Sequence, residues 1–300
     1  MTIYPEVHVK TFAAPQASRV SLFFAFGLAG FLYADASAQQ DTLQSRLTLP
    51  TMPMERAEAP PAPPPIRTTT MFPGITISSP PAIGAERGTV YLAVGYQEHT
   101  RFNDNDDGAV TFGVGLWDAH EYVGIELNAT SYSTWRSGLF DRMGFGAHVH
   151  RYLTDNTAIG VGGENLVMIN GDESDTDLGV YGVVTQFFPL KSDPSEPFSL
   201  ITATLGIGNG RFRSEEDVFE DNNTIGVFGA VSVHVVRPLA LIADWYGQDL
   251  GVGASIAPFT RFPLVITPAI MDLTGNAGDG ARFAIAVGIG YRLVRGPIQF

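Results

Sequence analysis

Large apolar residues alternate with small or polar ones along residues 282–293, the most regular pattern in the chain. Every second position is bulky and apolar, and the positions between carry Ala284, Ala286, Gly288, Gly290 and Arg292. A period of two predicts a β-strand, because successive side chains of a strand point to opposite faces. A bulky face opposite a face of alanine and glycine favours a strand between lipid and a lumen.

Similar alternating segments follow one another from residue 88 onward and predict about twelve strands. They lie near residues 88–101, 109–117, 122–134, 143–152, 157–169, 176–188, 198–211, 224–235, 239–246, 250–257, 264–272 and 281–293. The fold class is therefore all-β, a single antiparallel transmembrane β-barrel of about 12 strands. We expect the last strand to pair with the first and close the sheet.

The connections between these segments alternate in length. Short ones lie at 118–121, 153–156, 189–197, 237–238 and 258–261, and longer polar ones at 102–108, 136–142, 170–175, 212–223 and 273–280. Short turns on one rim and long loops on the other are typical of bacterial outer-membrane barrels, whose turns face the periplasm. An even strand count places both ends of the barrel on the short-turn rim. The link 246–250 is short where a long loop is expected.

Residues 1–38 read as a signal peptide. Lys10 and Arg19 precede an apolar run at 20–33, and Ala36-Ser37-Ala38 offers an A-x-A cleavage site. The alternative is an uncleaved N-terminal anchor helix, which the shortness of the run disfavours.

Residues 39–87 form a proline-rich linker that we expect to be mostly disordered, since such a composition cannot bury a core. Three roles stay open for it: a spacer, a plug that enters the barrel, and an arm that reaches a partner in the envelope. The barrel then covers 88–293, and 294–300 form a C-terminal tail.

Composition narrows the function classes. The net charge of -13 argues against a nucleic-acid partner, which needs clustered basic residues. The absence of cysteine excludes thiolate metal sites, disulfides and cysteine nucleophiles. We expect no cofactor.

The region from about Gly88 to Leu293 resembles the Gram-negative outer-membrane β-barrel proteins, a superfamily that includes porins. The spacing of Gly288, Tyr291 and Leu293 is similar to the C-terminal assembly signal of that family. This resemblance implies an outer-membrane location, contact with membrane lipid, and recognition by the outer-membrane assembly machinery. Residues 295–297 interrupt the pattern, so either Leu293 or Phe300 is the recognised end.

Polar residues at positions opposite the bulky ones are candidates for lining the lumen. They are Glu126, Asn128, His148, His150, Glu164, His234, Asp244 and Arg292. Two interpretations stay open for these charges. They set the selectivity of a narrow polar pore, or they pair across the lumen and close it.

Motifs for metal binding and catalysis fail on closer inspection. His148 and His150 have a spacing that can chelate zinc, but only Glu164 offers a third ligand, and we predict no metal site. Ser232 and His234 stand in the reverse of the order in barrel lipases and point inward, and no G-x-S-x-G motif is present. The acidic stretch at 103–108 lacks the glutamate that completes an EF-hand. We expect no enzyme.

The sequence therefore predicts a porin-type passive channel for small polar solutes. The alternative is a closed structural or adhesive barrel that acts through its acidic surface loops or its proline-rich arm.

Overall fold

The computed structural model describes residues 73–100, 105–132, 138–170 and 178–293. The predicted signal peptide, residues 39–72 of the predicted linker, and Phe300 with the C-terminal tail lie outside these ranges. Among the described residues, no helix is long and apolar enough to cross a membrane.

Twelve antiparallel strands form one closed barrel, in which each strand pairs with its neighbours in sequence and β1 pairs with β12. The strands are β1 (Thr89–Gln97), β2 (Asp107–Gly115), β3 (Gly124–Tyr132), β4 (Arg142–Thr154), β5 (Thr157–Ile169), β6 (Gly179–Pro189), β7 (Leu200–Gly208), β8 (Gly226–Val236), β9 (Leu239–Trp245), β10 (Leu250–Ile256), β11 (Leu264–Met271) and β12 (Arg282–Arg292). The predicted fold class, strand number and closing pair are confirmed. A short 3-10 helix, Gly210–Phe212, and a one-turn helix α1, Glu215–Phe219, lie between β7 and β8.

The outer face of the barrel is apolar all the way round. Each strand places at least one large apolar side chain in an exposed outward position; one per strand is Leu92, Phe112, Leu127, Phe145, Val161, Val184, Leu205, Val231, Leu241, Val252, Ile270 and Ile289. In water such a surface would be unfavourable, whereas in a bilayer it is the lipid-facing band. The closed sheet leaves no unpaired strand edge for the lipid to meet.

The two rims differ, with one departure from the predicted lengths. One rim carries the β2–β3, β4–β5, β6–β7, β8–β9 and β10–β11 connections and both ends of the barrel, and we call it the periplasmic rim; its β6–β7 connection, 190–199, is as long as the loops of the other rim. The other rim carries the longer loops. Residues 246–249 are again the exception, because they join β9 to β10 with a short link on the long-loop side.

Candidate channel lumen

Residues 73–87, which we call the lumen segment, lie against the inner face of the barrel without joining the sheet. The backbone N–H of Gly74 donates to the hydroxyl of Ser255, one residue from the periplasmic end of β10 (2.7 Å). The segment then reaches Asp244 near the opposite end of β9. It returns to the periplasmic rim, where β1 begins at Thr89. Residues 73–87 thus make an excursion into the lumen from the periplasmic side.

The far point of this excursion is held by Asp244, which is fully buried. One carboxylate oxygen, Oδ2, accepts the backbone N–H groups of Ile77, Ser78 and Ser79 at 2.6, 2.8 and 3.0 Å. The other oxygen, Oδ1, accepts the Ser79 hydroxyl at 2.5 Å. Three consecutive N–H groups turned toward one anion form a nest, the arrangement in which backbone binds negative charge. The lumen segment therefore supplies the donors that a buried carboxylate requires.

Arg211, from the 3-10 helix, contacts the same turn of the segment with the opposite charge. Its Nη1 donates to the Ser78 hydroxyl at 3.1 Å and its Nη2 to the Ser78 carbonyl at 2.9 Å. Glu164 on β5 holds the other edge of the guanidinium, accepting from Nε at 2.6 Å and from Nη2 at 2.8 Å. This paired fork fixes the plane of the guanidinium beside Ser78.

The returning half of the segment is held by two further side chains of the wall. The Ala82 N–H donates to the buried Thr185 hydroxyl at 2.9 Å, and the Ala85 N–H donates to Glu126 Oε2 at 2.6 Å. Glu126 also accepts the Tyr91 hydroxyl through its other oxygen, Oε1, at 2.5 Å. Both oxygens of this carboxylate are therefore occupied by donors within the lumen.

Aromatic side chains fill the lumen beside β5 to β8. Phe212 and Phe228 are fully buried and stack with their ring centroids 4.3 Å apart, and Tyr181 meets both rings edge-on. Ala82 of the lumen segment belongs to the same apolar cluster, and Ile83 packs against it. We call the inward faces of β4 to β8, with Phe212, the packed wall.

The opposite side of the lumen, formed by β12, β1 and β2, carries small side chains and one inward ring, that of Tyr91, which lies over Gly113 of β2. We call the small inward positions beside this ring the open wall; they are Ala286, Gly288, Ala93, Gly95, Ala109 and Thr111. Ala286 is exposed although it faces inward. A Cβ added at Gly95 would meet a single atom within 4 Å, the Ala109 carbonyl oxygen at 4.0 Å.

Most of the predicted lumen residues lie inside the barrel, but few face free space. The carboxylates of Glu126, Glu164 and Asp244 accept the hydrogen bonds from the lumen segment, Tyr91 and Arg211 described above. His148 and His150 are buried and stacked at 5.2 Å between ring centroids.

Three other predicted positions have different surroundings. Asn128 faces inward opposite Gly146, and His234 is buried opposite Ala240. Arg292 is exposed at the periplasmic end of β12.

Burial and the neighbouring Asp118 raise the pKa of Glu86, while His120 and Arg292 act in the opposite direction.

In the histidine hairpin, His150 pairs with Gly160 and His148 with Gly162. Glu164 is engaged by Arg211, and the Tyr181 hydroxyl lies 3.0 Å from His148 Nδ1. Within the described ranges, no group of three or more His, Asp or Glu side chains could hold a metal ion.

The predicted assembly-signal residues lie where β12 meets β1. Gly288 faces the lumen opposite Ala93, whereas Tyr291 and Leu293 are exposed. The Leu293 N–H donates to the Gly88 carbonyl at 2.8 Å and extends the closing pair.

Sequence reasoning missed the inward aromatic residues and the partners of Asp244. In β6, both faces are apolar, because Tyr181 and Val183 point inward while Val180 and Val184 point outward. The rule that bulky positions face lipid is therefore wrong for the packed wall. The signal that was available is the pairing of inward glycine with inward aromatic residues on neighbouring strands, as at Gly162 and Tyr181.

Comparisons with solved structures return outer-membrane proteins. The Acinetobacter baumannii outer membrane protein Omp33 matches with a TM-score of 0.38 and 7% identity, over 70% of this chain and 100% of that one. Pseudomonas putida OprB in its low-pH structure matches with a TM-score of 0.24 and 10% identity, over 68% of this chain and 91% of that one. No protein-family model and no curated protein matches the chain.

The location of the protein follows from the barrel itself. A closed antiparallel sheet with an apolar outer band and two unequal rims is the architecture of outer-membrane proteins. The chain is an outer-membrane β-barrel.

Proposed function

We propose that this protein is a passive channel for small polar solutes, and that solutes pass along the open wall. The proposal includes no catalytic step. The lumen segment, which reaches from β10 to Gly115 on β2, and the packed wall fill much of the lumen, and the space in front of Ala286, Gly288 and Gly95 is the path.

The observation that carries the proposal is the room in front of the open wall. At Gly288 the nearest atoms to an added Cβ are the Ala93 Cβ and the Leu92 carbonyl oxygen, both at 3.9 Å, which is ordinary contact distance. At Gly160 on the packed wall, an added Cβ would lie 2.6 Å from His148 Cε1. A barrel of twelve strands lies between the eight that side chains can fill and the sixteen that leave a wide channel. One filled side and one free side fit this intermediate size.

Hydrogen bonding along the free side supports passage of polar solutes. The hydroxyls of Thr111 and Thr130 lie 2.9 Å apart on neighbouring strands. Hydroxyl groups both donate and accept, so they can replace part of the hydration shell of a passing solute.

A single substitution on β12 tests the path. Ala286→Trp places an indole in the lumen, and we expect it to reduce the single-channel current in planar bilayers. Val287→Trp is the matched control, because Val287 pairs with Val94 on the outward face and the same indole then meets lipid.

Two outcomes contradict the proposal. An unchanged current in Ala286→Trp places the path elsewhere. A complete absence of solute-dependent current from the folded, unsubstituted chain favours the closed structural or adhesive barrel.

A further inference from the structure

We propose that Asp244 and Arg211 form a binding site for a zwitterionic α-amino acid, and that Ser78 of the lumen segment occupies this site until such a solute displaces it. The inference rests on the proposed function, because an amino acid reaches this site only through an open lumen.

The contacts of Ser78 carry the proposal. Its backbone N–H donates to Asp244 Oδ2 at 2.8 Å, and its carbonyl oxygen accepts from Arg211 Nη2 at 2.9 Å. One residue therefore connects an acid and a base through its own nitrogen and its own carbonyl. A free α-amino acid carries an ammonium and a carboxylate on one Cα, with the same spacing. It would replace two hydrogen bonds to a neutral amide by two between full charges, which are the stronger kind.

The guanidinium of Arg211 presents two donors to Ser78, as it would to a carboxylate. Nη2 meets the carbonyl oxygen, and Nη1 meets the hydroxyl oxygen at 3.1 Å. The two Nη donors that Ser78 occupies are the donors that a bidentate contact to a carboxylate would use. Glu164 binds the remaining edge of the guanidinium and keeps its plane in place.

Asp244 explains why release of the segment needs a ligand. Its carboxylate is fully buried and accepts the N–H groups of Ile77, Ser78 and Ser79 and the Ser79 hydroxyl. If the segment moved away without a ligand taking its place, the buried charge of Asp244 would lose these donors, which is costly. An ammonium group brings three N–H donors and a positive charge to the same carboxylate. Binding of the amino acid and displacement of Ser78 are thus coupled.

The first test measures exposure of the segment in the full-length chain. The chain has no cysteine, so Ser79→Cys introduces its only thiol, at a position that is 2% exposed. The rate of maleimide labelling is measured in detergent micelles with L-serine, with glycinamide, which lacks the carboxylate, and with acetate, which lacks the ammonium. We expect L-serine alone to raise the rate, by about tenfold. No effect of L-serine, or equal effects of glycinamide or acetate, overturns the proposal.

A second measurement avoids any substitution in the lumen segment. Calorimetric titration of L-serine into the unsubstituted chain is compared with titration into Arg211→Gln and Glu126→Gln. We expect Arg211→Gln to weaken binding by about tenfold or more, since it loses the charged bidentate contact. Glu126→Gln is the matched control, because Glu126 also holds the segment but contacts Ala85, away from Ser78. Equal losses in both variants, or no binding to the unsubstituted chain, overturn the site.

The potassium chloride current of the same preparation separates this inference from the proposed function. If current flows but L-serine changes neither the labelling rate nor the calorimetric signal, the amino-acid site is overturned and the channel proposal is unaffected. If L-serine changes labelling and binds in the calorimeter but no current flows, the channel proposal is contradicted and the site is supported.

Discussion

The two walls of the lumen use the same small residues for opposite purposes. On the packed wall, glycine makes room for a neighbouring ring, as Gly206 does for Phe228 and Gly162 for Tyr181. On the open wall, Gly95 and Gly288 face no such ring. Glycine content alone therefore does not define a pore; what decides is whether the inward residue opposite is aromatic or small.

The comparison also shows how one barrel combines rigidity with a path. The packed wall buries Phe212, Phe228 and the lumen segment in an apolar cluster, which gives a membrane barrel an interior core of the kind found in soluble proteins.

The largest expected effect comes from removing a ring of the packed wall. Phe228→Ala should lower the free energy of unfolding by about 3–5 kcal/mol, because it leaves a cavity beside Phe212 and Tyr181. Thr111→Ala on the open wall removes only one half-buried hydroxyl contact and should cost about 1 kcal/mol. Urea unfolding of the two variants in the same micelles measures both. Equal losses would abolish the distinction between the walls.

Glycine-to-alanine substitutions sharpen the comparison further. The new Cβ of Gly206→Ala would overlap the Phe228 ring, and overpacking of this kind costs about 1–3 kcal/mol. Gly288→Ala has room and should change the free energy of unfolding by less than about 1 kcal/mol. The same urea titrations provide the measurement. A loss at Gly288 as large as that at Gly206 would show that the open wall is filled.

The smallest effect concerns the loops above the two walls. Asp249, in the β9–β10 link, accepts N–H groups of Thr274, Asn276 and Ala277 from the β11–β12 loop. Burial alone would raise the pKa of Asp249, but hydrogen bonds from Thr274, Leu250 and Asn276 outweigh burial and hold that pKa below its usual range.

A lowered folded-state pKa fixes the sign of the pH dependence. The carboxylate of Asp249 contributes stability above the pKa of the unfolded chain, and the contribution is lost as pH falls through the lower folded-state value. We expect amide hydrogen exchange in the β11–β12 loop to rise at acidic pH in the unsubstituted chain. In Asp249→Asn, the exchange should already be raised at neutral pH, with little further change on acidification. A pH profile identical in both proteins would contradict the role of Asp249.

The sequence predicted the barrel because its signals are local. Alternation within the segments and the two classes of connection sufficed for strand number and closure. The register of His150 opposite Gly160 depends on a bulge between Tyr152 and Thr154, which the pattern does not show.

Which residues fill the lumen could not be predicted from such local sequence patterns. Residues 73–87 have no periodicity, and Ser78 meets Asp244 across 166 positions of sequence. Most of their contacts to Asp244, Thr185 and Glu126 are made by backbone N–H groups, which every non-proline residue possesses, so the sequence gives little sign of them. The inward position of Tyr181 was missed because both faces of β6 are apolar and an inward aromatic looks like a lipid-facing one.

The most direct test of the account asks whether solutes still pass when the lumen segment is fixed in place. A Cβ added at Gly74 would lie 3.7 Å from the Ser255 Cβ, within the range of a disulfide, so Gly74→Cys with Ser255→Cys can tie the segment to β10. Potassium chloride current is recorded from this one protein before and after reduction. The account predicts equal current in both states, because ions pass along the open wall. Current that flows only after reduction would contradict it, since the segment itself would then close the path.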